Sequence, residues 1–292
     1  MPQLPGAAEW DSILFAACLT LIDAIAISTL AFIAIALAMV RNSTSMIVDK
    51  DFLLSVALPL AEAAYQVTPG PSSFAPPCGF TLASLIKLDA PIGGLSIDNP
   101  YFGFMAVREK VIYIAIRGTQ SLDEWIKDFD AAPVELNNYA VHAGFNAVLE
   151  SLFPSIRQAI WSLARADFEI CVIGHSLGAA LASLIALKLS AGTSLPVNCI
   201  AFASPRVGDA NFGRAVRRSI DLLRVTNTKD LVTHVPPRPE YVHAGDAVAF
   251  DGWDFAAGIE QKLDAKFAHS LEQSYLPGVQ SMPNRLTRIE LD

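Results

Sequence analysis

The sequence predicts an α/β fold, a mostly parallel central sheet with helices on both faces. Three observations lead there. Beyond residue 50 the chain switches back and forth between strand-like and helix-like periods, the alternation produced when helices cross over between parallel strands. A Gly-x-Ser-x-Gly run, Gly174-His175-Ser176-Leu177-Gly178, falls at one of the strand-to-helix turns. Finally, 52% of the 292 residues are apolar and 17% charged, which excludes disorder and supplies a core for one large α/β domain or two small ones.

From its N-terminus the chain reads as two parts, 1–45 and 46–292. Between Ile13 and Val40 the only charged residue is Asp23, and Ala24–Val40 runs 17 residues without a charge. That reaches the lower limit for a membrane-spanning helix. A single transmembrane helix is expected over about 21–40, in a register that moves Asp23 toward the interface. No Lys or Arg precedes the run, which argues against a secretory signal. Arg41 and Lys50 follow it, so the positive-inside bias puts the larger domain in the cytoplasm. The competing reading is a chain that starts at Met46, is cytoplasmic and has no membrane element. Further on, Asp51–Gln66 reads as a helix and Pro69–Gly79, with four prolines, as a loop. Strands rich in β-branched and aromatic residues are expected at Phe80–Leu88, Tyr101–Arg108 and Val111–Arg117. A helix over Asn146–Ala166 follows, then a buried strand Glu169–Ile173, a helix Ser176–Ser190 and a strand Val197–Ala203. Helix Asp209–Arg217 and strand Leu222–Asn227 complete the series.

Chemistry enters at the Gly-x-Ser-x-Gly turn. Between a strand and a helix this is the context of a nucleophile elbow, where the serine backbone is strained and both neighbouring segments pass too close for a Cβ. Gly174 and Gly178 meet that demand. A serine hydroxyl needs a histidine to take its proton and a carboxylate to orient the histidine. Three histidines follow Ser176: His234, His243 and His269. Asp230 lies at the carboxyl end of a predicted strand, where sites in open α/β sheets are built. The order Ser176, Asp230, His269 is therefore available, and Asp209 is the fallback acid, although capping the next helix suits it better. One donor for a developing oxyanion is the backbone N–H of Leu177. Leu122, Trp125, Ile126 and Phe129 recur at i, i+3, i+4 and i+7, with Asp123, Glu124, Lys127 and Asp128 between them, the pattern of a short amphipathic helix.

Several spaced blocks together resemble the class 3 lipase family, the fungal-type triacylglycerol lipase branch of the α/β-hydrolases. They are IAIRGTQSLDEWIKDFDA, VHAGF, VIGHSLGAALASL, AFASPRVGD and DLVTHVPP, in that order, and the resemblance covers about residues 50–275. It implies the α/β-hydrolase fold, with Ser176 as nucleophile, Asp230 as acid and His269 as base. It also implies Thr119 as the second oxyanion donor and the Leu122–Phe129 stripe as a lid. His234 and His243 resemble structural positions, and His142 and His175 positions that shape a turn or pack. In the last block only His269 and Tyr275 resemble the family.

The reaction expected from all this is cleavage of lipid carboxylic esters through an acyl-serine intermediate. A soluble esterase or thioesterase acting on small acyl substrates is the alternative enzyme, and a catalytically silent hydrolase-fold protein that binds at a membrane the alternative from another class. A lipid or acyl ester and a membrane are the expected partners, and no protein partner is identifiable. The formal charge of −8, with no basic block, excludes nucleic acid. No metal-ligand spacing or phosphate-binding glycine loop is present, so no metal and no cofactor are expected. Cys18, Cys78, Cys171 and Cys199 are too sparse for a disulfide framework, and Cys171 and Cys199 read as buried small hydrophobes.

Overall fold

The computed structural model describes residues 48–67, 74–89, 99–119, 132–136, 138–258, 260–261 and 264–290. The transmembrane helix expected over 21–40 lies outside them. Among the described residues no helix is long and apolar enough to cross a membrane.

A seven-stranded sheet carries the fold. Its strands are β1 (Thr81–Lys87), β2 (Tyr101–Arg108), β3 (Val111–Ile116), β6 (Glu169–His175), β7 (Val197–Phe202), β8 (Asp221–Asn227) and β9 (Asp246–Phe250), adjacent in that order. The first three pair antiparallel, and β3, β6, β7, β8 and β9 run parallel. A separate hairpin of β4 (Pro133–Leu136) and β5 (Tyr139–His142) stands beside it. β6 and β7 are apolar because both of their faces are covered, as the central strands of a parallel sheet must be.

On one face lie helix α2 (Ala143–Leu163), α3 (Leu177–Gly192) and α4 (Ala210–Ser219). Phe145, Val148, Leu149, Leu152, Ile156 and Ile160 form the buried stripe of α2, spaced at three or four residues and their multiples. Helix α3 is buried from Leu177 to Leu187, so it is apolar all round, as a helix enclosed by its neighbours must be. Asp209 accepts from the Phe212 N–H at 2.8 Å and caps α4, the role expected for it.

The other face is covered by α1, which begins at Lys50–Phe52, widens to a π-helical segment at Leu53–Ala57, continues as Leu58–Ala63 and closes in a 3-10 turn, Ala64–Gln66. Near the C-terminus α5 (Ala265–His269) leads into a second π-helical segment, Leu271–Tyr275, and α6 (Leu276–Ser281). Each π segment immediately precedes a Leu-Pro pair, Leu58-Pro59 and Leu276-Pro277. A proline has no N–H for the carbonyl four residues back and its ring crowds that carbonyl, so the helix widens ahead of it.

Candidate active site

β6 and α3 meet in a turn too tight for ordinary residues. Ser176 is held at φ 61° and ψ −128°, a backbone conformation that costs a non-glycine residue about 1–3 kcal/mol. Hydrogen bonds fix it there: the Ser176 N–H donates to the Phe202 carbonyl at the end of β7, and the Ala179 N–H to the Ser176 carbonyl. A Cβ on Gly174 would stand 2.1 Å from the Gly178 oxygen, and one on Gly178 would stand 2.2 Å from the Ile116 oxygen of β3. The two glycines are thus required by backbone passing against backbone. Ser176 is 1% exposed. Leu177 opens α3, so its N–H is among those without an intrahelical acceptor, at the positive end of the helix.

Asp230 stands beyond the end of β8 and caps a 3-10 turn, Leu231–His234. Its Oδ1 accepts from the Val232 N–H at 3.0 Å, while Oδ2 accepts from His269 Nδ1 and from the Tyr275 hydroxyl, both at 2.8 Å. Three donors thus meet one fully buried carboxylate, which is how a buried negative charge is made tolerable. With Nδ1–H bound to Asp230, the Nε2 of His269 in its neutral form is the acceptor nitrogen. Neither His269 Nε2 nor Ser176 Oγ has a hydrogen-bond partner among the described residues, although both are buried. The ring of His269 lies 4.6 Å from that of His175, the residue preceding Ser176. His269 and Ser176, whose Nε2 and Oγ are engaged in no structural bond among the described residues, are thus both neighbours of His175.

The loop that carries His269 is fixed from two sides. Asn227, the last residue of β8 and fully buried, donates through Nδ2 to the Ala268 carbonyl at 2.9 Å and to Ser274 Oγ at 3.0 Å. Its Oδ1 accepts from the N–H groups of Gly252 and Lys229. From the opposite side His175 Nε2 donates to the His269 carbonyl at 2.9 Å, and His175 Nδ1 accepts from the Tyr65 hydroxyl of α1 at 2.7 Å. Burial, reinforced by the neighbouring His269, holds His175 well below the usual histidine range. Burial likewise lifts Tyr275 well above the usual phenol range, and the charge of Asp230 adds to the effect.

Arg117–Thr119 form the turn after β3. The Arg117 guanidinium donates to three main-chain carbonyls, those of Tyr101, Gly118 and Asn99, and lies over the Phe102 ring at 4.7 Å. A Cβ on Gly118 would come within 2.9 Å of the Ser176 Cβ, so the turn leading to Thr119 abuts the serine. Leu122, Trp125, Ile126 and Phe129, the expected lid, lie outside the described residues.

His142 is buried on β5 with its ring 4.4 Å from Phe145. His243 is also buried, donates from Nε2 to the Thr233 carbonyl, and is pushed down to about 3 by burial and by Arg224. His234 is exposed, and its carbonyl accepts from Arg206. Cys171 and Cys199 are buried thiols raised by desolvation. Sequence reasoning missed Tyr65 and Asn227, and gave His175 only a share in shaping the turn. The one trace of Asn227 was a polar residue ending an apolar strand; Tyr65 left none.

Comparison with known proteins gives a consistent set of likenesses. A family model described as Lipase (class 3) matches residues 113–240. Phospholipase A1-II 6 of Oryza sativa subsp. japonica is 28% identical over 278 residues, 79% of this chain and 67% of its own. A lipase of Rhizomucor miehei is 32% identical over 155 residues, 47% of this chain and 41% of its own. Several of the curated relatives are matched by this chain over about half of their length. A solved triacylglycerol lipase, with a serine protease triad as its catalytic centre, superposes with a TM-score of 0.56 at 25% identity, over 69% of this chain and 80% of that one.

Proposed function

We propose that this chain, a member of the class 3 lipase family, hydrolyses carboxylic esters of lipids through an acyl-Ser176 intermediate. The observation that carries the reading is the Asp230–His269 bond at 2.8 Å, with His269 Nε2 left unpartnered close to a strained and equally unpartnered Ser176. Fungal lipase and plant phospholipase A1 relatives supply the substrate class.

Ser176 Oγ attacks the ester carbonyl while His269 Nε2 takes its proton. The resulting imidazolium is stabilised through Nδ1–H by Asp230, which stays ionised. The former carbonyl oxygen becomes an anion met by the N–H groups of Leu177 and Thr119, and loss of one such donor costs about 2.7–4 kcal/mol of barrier. Collapse breaks the C–O bond to the alcohol, which leaves with the proton from His269. Water then repeats the sequence on the acyl-serine and releases the fatty acid. Two segments outside the described residues complete the proposal: the Leu122–Phe129 stripe as a cover over the site, and the apolar segment at about 21–40 as a membrane anchor.

The test compares wild type with Ser176→Ala on nitrophenyl esters of short to long acyl chains, with and without vesicles, alongside phosphatidylcholine and triacylglycerol emulsions. Serine-dependent turnover that rises with chain length and interface supports the reading. Turnover confined to short dispersed esters replaces it with a soluble esterase, and equal residual rates in both proteins leave a binding role.

A further inference from the structure

We propose that Tyr65 is a positioning residue of the active site, tying the turn that leads to the Thr119 oxyanion donor to the main chain of the base His269 through His175. The inference rests on the hydrolase reading of Ser176. Tyr65 lies in the last turn of α1, 110 residues before His175, and is brought to it only by the packing of α1 on the sheet.

Hydrogen-bond direction is fixed along the whole path. A carbonyl can only accept, so His175 Nε2, 2.9 Å from the His269 carbonyl, carries the ring hydrogen. Neutral His175 then has a lone pair on Nδ1, and the Tyr65 hydroxyl, 2.7 Å away, donates its single proton there. The Tyr65 oxygen keeps its lone pairs free to accept, and it lies against Gly118. Gly118 packs so closely that a Cβ there would stand 2.6 Å from the phenol oxygen. One hydroxyl therefore reads the position of the oxyanion turn and sets the tautomer of the ring that holds the base. Without it His175 can place its hydrogen on Nδ1, and a lone pair on Nε2 would then face the lone pairs of the His269 carbonyl. The contact becomes repulsive, and His269 shifts relative to Ser176. Displacement of a catalytic group by about an ångström costs up to about 100-fold in rate.

The experiment uses the full chain with 15N-labelled histidine. In wild type the His175 resonances should report the Nε2–H tautomer, and in Tyr65→Phe a mixture. On a nitrophenyl ester, Tyr65→Phe should lower kcat by about tenfold, with KM within about twofold, as expected when transition-state geometry and not substrate binding is lost. An Nδ1–H tautomer in wild type overturns the proposal whether or not the variant folds. So does a folded Tyr65→Phe with wild-type kcat. If wild type shows no Ser176-dependent turnover, the hydrolase reading fails and the positioning role fails with it, whereas active wild type with an unaffected variant removes the role of Tyr65 alone.

Discussion

Tyr275 and His269 donate to the same oxygen of Asp230, so the phenol and the imidazole share one carboxylate. In the proposed mechanism the charge of Asp230 serves twice, at rest to fix the tautomer of His269 and in the transition state to stabilise its imidazolium. Replacing Tyr275 by Phe removes a charge-assisted hydrogen bond worth about 1.5–3 kcal/mol and leaves part of a buried carboxylate unsolvated. The Asn227 N–H also loses its contact with the phenol oxygen at 3.3 Å. We expect a folded protein destabilised by about 1.5–3 kcal/mol, with kcat reduced by about 3- to 30-fold and KM little changed. Thermal melts and steady-state kinetics on one ester decide it, since an unchanged kcat would confine the hydroxyl to folding. At this scale the sequence was uneven. Ser176 stood out because a strained turn demands glycines, while Asp230 and His269 were singled out from the other acids and histidines only through the family resemblance, and the structure joins those two at 2.8 Å. Tyr65 was not legible, since a bond spanning 110 residues leaves no periodic or spacing signal.

At the scale of elements, the carboxyl end of β8 is the anchor of the site. Asn227 uses both ends of its amide to join the strand to the loop of Ala268, to Ser274 and to the turns at Lys229 and Gly252. Asn227→Leu keeps the volume and leaves the Gly252 and Lys229 N–H groups and the Ala268 carbonyl without this partner. Each group left buried and unpaired costs about 1–3 kcal/mol. We expect a loss of about 3 kcal/mol or more in urea unfolding, together with at least tenfold slower ester turnover at temperatures where the variant remains folded. Wild-type turnover in a destabilised Asn227→Leu protein would show that the His269 loop holds its place without the strand. The major elements were readable for the reason that makes β8 a good anchor: long apolar runs such as those of β3, β6 and β7 are buried by neighbours on both sides and have to be written in the sequence. The β4–β5 hairpin was not seen, because β4 is four residues long and half exposed. β9 was missed as a five-residue strand beyond the proline-rich stretch, with its place set by pairing to β8.

For the molecule as a whole, two cores lie on either side of the sheet, and we expect the buried histidines to add to its loss of stability in acid. His243 is 6% exposed and donates to the Thr233 carbonyl, and the Thr233 hydroxyl in turn donates to the main chain of Asp230. Burial is the main reason it resists protonation, and Arg224, Arg206 and His234 add positive charge around it. Above pH about 6.5 the ring is neutral in both folded and unfolded chains, so it contributes nothing to the pH dependence. Between about 6.5 and 3 the unfolded chain binds a proton that the native protein refuses, so stability falls as pH falls. Below about 3 the native ring protonates too, and its contribution to the slope ends. One proton corresponds to about 1.4 kcal/mol per pH unit, and His175, depressed for the same reason, adds in the same direction. Urea unfolding at pH 6 and 4.5 should therefore show wild type losing more stability than His243→Gln. The difference should approach about 2 kcal/mol across that interval, whatever the variant's absolute stability. Gln keeps an N–H for the Thr233 carbonyl, so the comparison isolates the proton from the hydrogen bond. Parallel losses in the two proteins would move the source of acid sensitivity away from the packing behind Asp230.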